Sequence, residues 1–311
     1  MQGGKKKYLS RRMSLGRHVC GWVIERPGLH LSHEEIARLK ADLKKIGQKS
    51  LPNTPLDYGV FDEAGDAFDR SLITILYDRH SGEPVAFNSM PILELNIQGQ
   101  AEEVLHLGLV MVDPDARSGG LSSILYGFAC ILLLIRRQFR PIWVSSVTQV
   151  PAVVGLVSEL YSNTFPSPNP KARRSFTHLQ IARRIMLGHR SAFGVGDDAG
   201  FDEQNFVISN AYTGGSDNLK KTFENTPKHR KQIYNDLCAQ ELNYDRGDDF
   251  LQIGQLDIAA VRNYLIRKDK DAPVLGPMIA IAFFSLQSIF IPIIYWFDDR
   301  KNWGNLRPWK Q

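Results

Sequence analysis

The sequence predicts an α/β fold in which strands and helices alternate, followed by a C-terminal helical extension and an apolar tail helix. Two stretches carry the prediction. Apolar residues run from Leu107 to Val112, and Asp113, Pro114 and Asp115 stop the run; Ser118, Gly119 and Gly120 then free the backbone where Leu121–Ile135 begins an apolar helix. Ahead of it, Leu72–Tyr77 and Val85–Leu95 read as strands joined by Asp78–Pro84, a hairpin connection rich in turn formers.

The remaining elements follow in chain order. Residues 1–30 read as a basic arm, a solvated tail by default. Ser32 and Glu35 then form a capping box, and Ile36, Leu39, Leu43 and Ile46 give the apolar stripe of a helix expected to cover one edge of a substrate cleft. After the central helix, Pro141–Val147 is a further strand. Val150–Ser162 is helical by the spacing of Val153, Val154, Leu156, Val157, Leu160 and Tyr161. Ile181–Leu187 reads as a basic helix, Asn205–Ser209 as a late strand, and Pro227–Leu242 and Ile258–Arg267 as helices. Gly194, Gly196 and Gly200 imitate a dinucleotide loop, but Asp197 and Asp198 stand where a pyrophosphate would sit, so the stretch is a loop. These elements divide the chain into a basic arm and helix (1–50), a central domain (51–215), a helical extension (216–271) and an apolar tail (272–311).

A chain of 311 residues with 43 % hydrophobic content has enough material for a large core. Its net charge of +5 is unevenly spread: residues 166–190 hold six basic residues and no acid, whereas 197–257 is acidic. Basic segments beside an apolar tail favour an anionic lipid surface over nucleic acid. The three cysteines, Cys20, Cys130 and Cys238, imply neither a disulfide framework nor a metal site, and a reducing, cytoplasmic setting is expected. The first residues form no secretory h-region, and Gln2 excludes myristoylation.

The turn between residues 112 and 122 has the makings of an anion site. The first amides of a helix lack intrahelical acceptors and lie at its positive end, and Arg117 adds a full charge. Val112, Pro114, Arg117 and Gly120 resemble the pyrophosphate-binding motif of the GNAT N-acyltransferase superfamily, Val-x-Pro-x-x-Arg/Gln-x-x-Gly-x-Gly/Ala, with Ser122 at the final position. Leu160, Tyr161 and Phe165 resemble the end of the superfamily's second coenzyme-side helix, whose usual asparagine near the helix start is missing here. The resemblance covers roughly residues 55–166 and implies a central mixed, mostly antiparallel sheet flanked by helices. It further implies an acyl-CoA or acyl-carrier-protein phosphopantetheine donor, with no metal, held by Leu109, Val110, Met111, Val112, Arg117, Ser118, Gly119, Gly120, Leu121 and Ser122.

Acyl transfer to an amine needs a base for the amine and an acid for the departing thiolate. His106, on the strand six residues before Val112, resembles the superfamily's base position and has a suitable pKa; the same residue also fits a hydrogen-bonded core histidine. Glu103 and Glu94 are alternatives acting through water. Tyr161 is the acid implied by the resemblance, since the superfamily's tyrosine lies near the thioester sulfur; a packing tyrosine is the other reading. Strand amides near Leu109–Met111 would polarise the carbonyl. The acceptor is an amine-bearing small molecule or a lipid-linked amine. A non-catalytic acyl-CoA-binding or scaffolding module of the same fold, at a membrane, is the alternative.

Ala272–Phe297 is free of charge for 26 residues. As one helix it would be about 39 Å long, enough to cross a hydrocarbon core of about 30 Å. Pro277 and Pro292 leave only fourteen residues between them, and basic residues flank both ends, so a segment that dips in and returns, with both flanks on the cytoplasmic face, suits it better. A homodimer interface, or burial against the central domain, is the other home for this tail. No phosphate loop of the Gly-x-x-x-x-Gly-Lys type, nucleophile elbow or His-Glu-x-x-His zinc helix is present.

Overall fold

The structure, a computed structural model, describes residues 8–15, 18–52, 59–62, 65–119, 121–214, 216–268 and 293; of residues 117–119, 122, 123 and 265–268 it describes the backbone alone. The chain opens with strands β1 (Ser10–Ser14) and β2 (Val19–Glu25), then helix α1 (His33–Ser50) and the short α2 (Ala67–Arg70). Next come β3 (Ser71–Asp78), β4 (Pro84–Ile97), β5 (Gln100–His106), β6 (Val110–Val112), α3 (Leu121–Arg136), β7 (Ile142–Thr148), α4 (Pro151–Leu160) and β8 (Ser162–Phe165). The last part holds α5 (Phe176–Gly188), β9 (Gly200–Asp202), β10 (Val207–Ser209), α6 (Gln232–Glu241), β11 (Asp249–Leu256) and α7 (Ile258–Lys268).

The strands form one sheet in the order β1-β2-β3-β4-β5-β7-β11-β10-β9, with β6 against β4 and β8 against β11. Among the described residues every strand pair is antiparallel except β5–β7. The expected α/β class with a mixed, mostly antiparallel sheet flanked by helices is therefore what the chain adopts.

Alternation along the strands sends side chains to two faces, and each face is covered by its own helices. On one face Val23, Leu72, Met90, Leu105 and Val144 pack with Cys130 and Leu133 of α3, Leu160 of α4 and Val261 of α7. On the other, Ile73, Ile75 and Phe87 meet Leu39, Leu43 and Ile46 of α1, while Leu93, Val104, Leu251 and Ile253 meet Ile181 and Ile185 of α5. The capping box forms as expected: Ser32 Oγ accepts from the Glu35 amide at 3.2 Å, and Glu35 reaches back to the Ser32 amide at 2.9 Å.

Several expectations are corrected. Residues 10–25 are not a free arm: β1 and β2 extend the sheet, with Val23 opposite Thr74 of β3. Trp22, Val23 and Ile24 are all apolar, but Arg17 and His18 interrupt the run ahead of them, so the sequence does not announce the strand. The helix expected over Val150–Ser162 spans only Pro151–Leu160, and Ser162–Phe165 is a strand on β11. Residues 216–271 are not a purely helical extension, since β11 lies inside the sheet next to β7. The helix expected from Pro227 begins at Gln232. The tail at 272–297 lies outside the described residues apart from Ile293, and among the described residues no helix is long and apolar enough to cross a membrane.

Candidate active site

The sheet parts at its one parallel pair. β5 and β7 run together through Val104–Trp143, Leu105–Val144 and His106–Ser145, and the Leu107 amide still donates to the Ser145 carbonyl at 2.7 Å. Beyond that point the expected continuous strand is broken. Residues 107–109 leave the β7 ladder, and β6 continues on β4 alone, with Asn88 opposite Val110 and Ala86 opposite Val112. β7 meanwhile stays with β11, Thr148 opposite Phe250. A gap opens between residues 108–112 and 146–148. Gly108 is required at its apex, because a Cβ there would stand 2.5 Å from the Ser89 carbonyl oxygen.

The ladder fixes which backbone groups face the gap. Ser89 donates to the Leu109 carbonyl at 2.9 Å and Asp113 to the Val85 carbonyl at 2.8 Å, so residues 109, 111 and 113 bond β4. Gly108, Val110 and Val112 consequently turn their amides and carbonyls toward β7. Of the four strand residues expected to hold the donor, Val110 and the Val112 amide thus face away from β4 toward the gap, the Val112 carbonyl is taken by Ser50, and Leu109 and Met111 are engaged with β4.

At the open end of the gap β6 runs into a 3-10 turn, Pro114–Gly119, and then α3. Buried Asp113 holds this turn: it accepts from the Asp115 amide at 3.1 Å and from Lys49 Nζ of α1 at 2.6 Å, and this contact raises the Lys49 pKa. Ser50 Oγ donates to the Val112 carbonyl at 3.0 Å. The turn therefore sits against the end of α1, and α3 begins just past it, with first amides that lack intrahelical acceptors. Leu121 is buried against Leu76, Ala86 and Leu125. Gly120 and the side chains of Arg117, Ser118 and Ser122 lie outside what is described; Gly119 closes the 3-10 turn.

His106 and Tyr161 stand on opposite faces of the sheet. His106 is 2 % exposed, on the α5 side, with Nδ1 3.0 Å from Ser145 Oγ and its ring stacked 4.6 Å from Phe193. Burial pushes its pKa down to about 4, so at neutral pH the imidazole is uncharged. Tyr161 is on the α3 side, where its hydroxyl is 3.5 Å from Cys130 Sγ; burial raises its pKa well above the usual phenol value, and the thiol rises to about 11 for the same reason. Closer to the gap is Tyr126 of α3, which donates to the Gly108 carbonyl at 3.1 Å. Sequence reasoning missed it; its only signal was a position four residues before Cys130 on the buried stripe. Glu94 and Glu103 are both bonded to Arg26, at 2.7 and 3.0 Å, and Glu94 also lines the cleft on the His106 face.

On the His106 face a cleft of about 540 Å³ lies between the two cores. Ser89, Pro91 and Leu93 of β4 form its floor, residues 67–70 of α2 one wall, and residues 188–192 after α5 the other. Ser89 is the residue against which Gly108 packs, so the cleft floor and the gap share a border. Phe193, next along the wall, separates the cleft from His106.

A second polar cluster was not foreseen. Past the end of β7, the Gln149 amide, with its oxygen and nitrogen oriented to suit their neighbours, accepts from the Lys221 amide at 2.9 Å and donates to the Lys221 carbonyl at 3.2 Å. The same oxygen accepts from the Tyr212 hydroxyl at 2.8 Å. Tyr212 oxygen is also 3.0 Å from Asp249 Oδ1. A hydroxyl has one proton, so both contacts are made when Asp249 carries a proton of its own. Burial moves its pKa up to about 7, in line with that arrangement. Among the described residues no group of His, Cys, Asp and Glu side chains has metal-site geometry.

No family model and no curated protein matches the sequence. Among solved structures, the chain is similar to a ribosomal-protein-S5-alanine acetyltransferase from Vibrio fischeri over 80 % of its own length and 98 % of that chain, at 8 % identity and a TM-score of 0.34. It is similar to a tetramutant of the BH1408 protein from Bacillus halodurans over 42 % of its length and 77 % of that chain, at 13 % identity and a TM-score of 0.23. Both are distant, and neither bears on the chemistry of the gap.

Proposed function

We propose that the chain is an N-acyltransferase that moves an acyl group from a phosphopantetheine thioester, carried by coenzyme A or a carrier protein, to an amine. One observation carries the reading: among the described residues the sheet parts where β5 and β7 diverge, and that opening lies between a helix-start turn on one side and a cleft on the other. A donor whose phosphates rest on the turn at residues 114–122 would run its pantetheine arm along the gap-facing backbone of Val110 and the Val112 amide. Its thioester would then face the cleft floor at Ser89.

The acceptor amine lies in the cleft and attacks the thioester carbonyl, whose developing negative charge is met by the amides facing the gap. Neutral His106, on the cleft side, takes the amine proton once Phe193 gives it access. The departing thiolate is protonated from the α3 side, by Tyr126 at the gap or by Tyr161 beyond it. The test is thiol release from acyl-CoA of short and long chain in the presence of amines. Release dependent on both substrates supports the reading. Absence of release for every donor, together with absence of CoA binding by calorimetry, overturns it.

The burial of His106 beneath Phe193 favours a second reading, a binding module that holds acyl-CoA without turning it over. It predicts calorimetric binding with no thiol release.

A further inference from the structure

We infer that α5 is a docking helix for an anionic bilayer, and that it seats the protein with the mouth of the cleft at headgroup level. The inference stands whether or not the acyl-transfer reading does.

The exposed side of α5 is unlike an ordinary solvated face. Phe176 is 60 % exposed and Leu187 80 %. At about 100° per residue the eleven positions between them bring the two side chains within about 20° of the same line, about 16 Å apart along the axis. Arg183 falls on that line as well, and Arg184 flanks it. The buried side is complete without them: His178, Ile181, Ala182, Ile185 and Met186 make the core contact. Among the described residues, nothing covers these two large apolar groups at the two ends of one exposed line.

The charge around them has one sign. Lys171, Arg173, Arg174, Arg183, Arg184 and Arg190 all lie between residues 166 and 190, where there is no acid. Glu203 neutralises Arg183 through two bonds, at 2.7 and 2.6 Å, and Asp197 neutralises Arg190 at 2.8 Å. Among the described residues Lys171, Arg173 and Arg184 have no carboxylate partner; Arg173 donates to the carbonyls of Pro170 and Ala172, and Arg174 donates to the Glu203 carbonyl and also acts on its carboxylate. Cations ringing two protruding apolar side chains match an anionic interface with an apolar layer beneath it. A folded acidic protein would need pockets spaced for both side chains, whereas lipid accepts them at any spacing. The uncharged stretch at 272–297 belongs to the same setting.

The position of this face gives it a consequence. Leu187 is followed directly by Gly188, His189, Ser191 and Ala192, which line the cleft. Seating Leu187 in the interface places the cleft rim there too, so amphiphilic molecules held in the bilayer reach the cleft without leaving it.

The full-length chain is tested with Cys20 replaced by Ser and an environment-sensitive fluorophore attached at Leu187→Cys, or at Gln240→Cys on exposed α6 as reference. Vesicles are equimolar phosphatidylglycerol and phosphatidylcholine, or phosphatidylcholine alone. The expected result is a blue shift with a several-fold rise in emission at 187 on the anionic vesicles and no change at 240. Arg173→Glu with Arg184→Glu should reduce the 187 signal, and so should salt. An unmoved label at 187 overturns the inference, whether the protein sediments with the vesicles or stays in solution. So does an equal response at 240, or a response to an acidic carrier protein in place of vesicles.

Discussion

His106 gives the sharpest quantitative handle on the site. In the unfolded chain its pKa is the ordinary 6.5, and in the folded protein burial lowers it to about 4. Between these values the unfolded state binds a proton that the folded state refuses, so stability falls as pH drops from 6.5 to 4 and is fully present above 6.5. At 1.36 kcal/mol per pKa unit the loss amounts to about 3 kcal/mol from this one side chain. His106→Gln keeps a polar group within reach of Ser145 and removes the ionisation. Urea unfolding of both proteins at pH 7 and pH 4 isolates the effect, because every other titrating group cancels in the difference. The wild-type chain should lose about 3 kcal/mol more than the variant over that interval. Equal losses would show that the folded protein already admits the proton, and that the ring is not sealed under Phe193. For catalysis the same burial puts the rising limb of the acyl-transfer rate near pH 4 in the free protein, not near 6.5, and His106→Gln should remove it.

Three further outcomes are expected. Arg117→Glu combined with Gly120→Asp should abolish CoA binding by calorimetry with the circular dichroism spectrum unchanged, since both changes bring negative charge to the phosphate turn. Tyr126→Phe should slow thiol release by about tenfold or more while leaving donor affinity within about twofold, and the same measurement on Tyr161→Phe decides which phenol is the acid. Asp249 has a folded pKa of about 7, above its unfolded value, so its contribution to stability is complete at low pH and is lost as pH rises through 7. Asp249→Asn supplies a donor to Tyr212 that does not titrate, and should flatten the fall in stability between pH 4 and pH 7 seen in chemical denaturation.

The periodic elements were legible in the sequence, and the break that makes the site was not. Strands β3 and β4, with their five-residue connection, and helices α1 and α3 follow from alternation, turn residues and a cap, all of which are local. The interruption at 107–109 is not local. Six apolar residues in a row look like one strand, and only the departure of β7 toward β11 reveals that the run changes partners at Gly108. For the same reason His106 could be named without its partners: Ser145 and Phe193 come from 39 and 87 positions away in the sequence. Tyr161 was placed by resemblance, and nothing in the stretch itself set it apart from Tyr126. The cluster around Asp249 joins three segments that carry no common motif.

The sheet can also be seen as two half-sheets joined along a seam. β1 to β6 lie on one side of it, β7 to β11 on the other, and the seam holds only through residues 104–107 against 143–145. β7 and β11, by contrast, are paired along their whole length from 142 to 148. The seam is thus short along the line where a donor would enter. A ligand in the gap bears on the end of a short zipper, and each bond it adds to the facing strand edges stands in for a ladder bond the fold itself omits. Exchange of the Leu107 amide, the last rung, would report the opening and closing of the two halves, and a ligand bridging them should slow it.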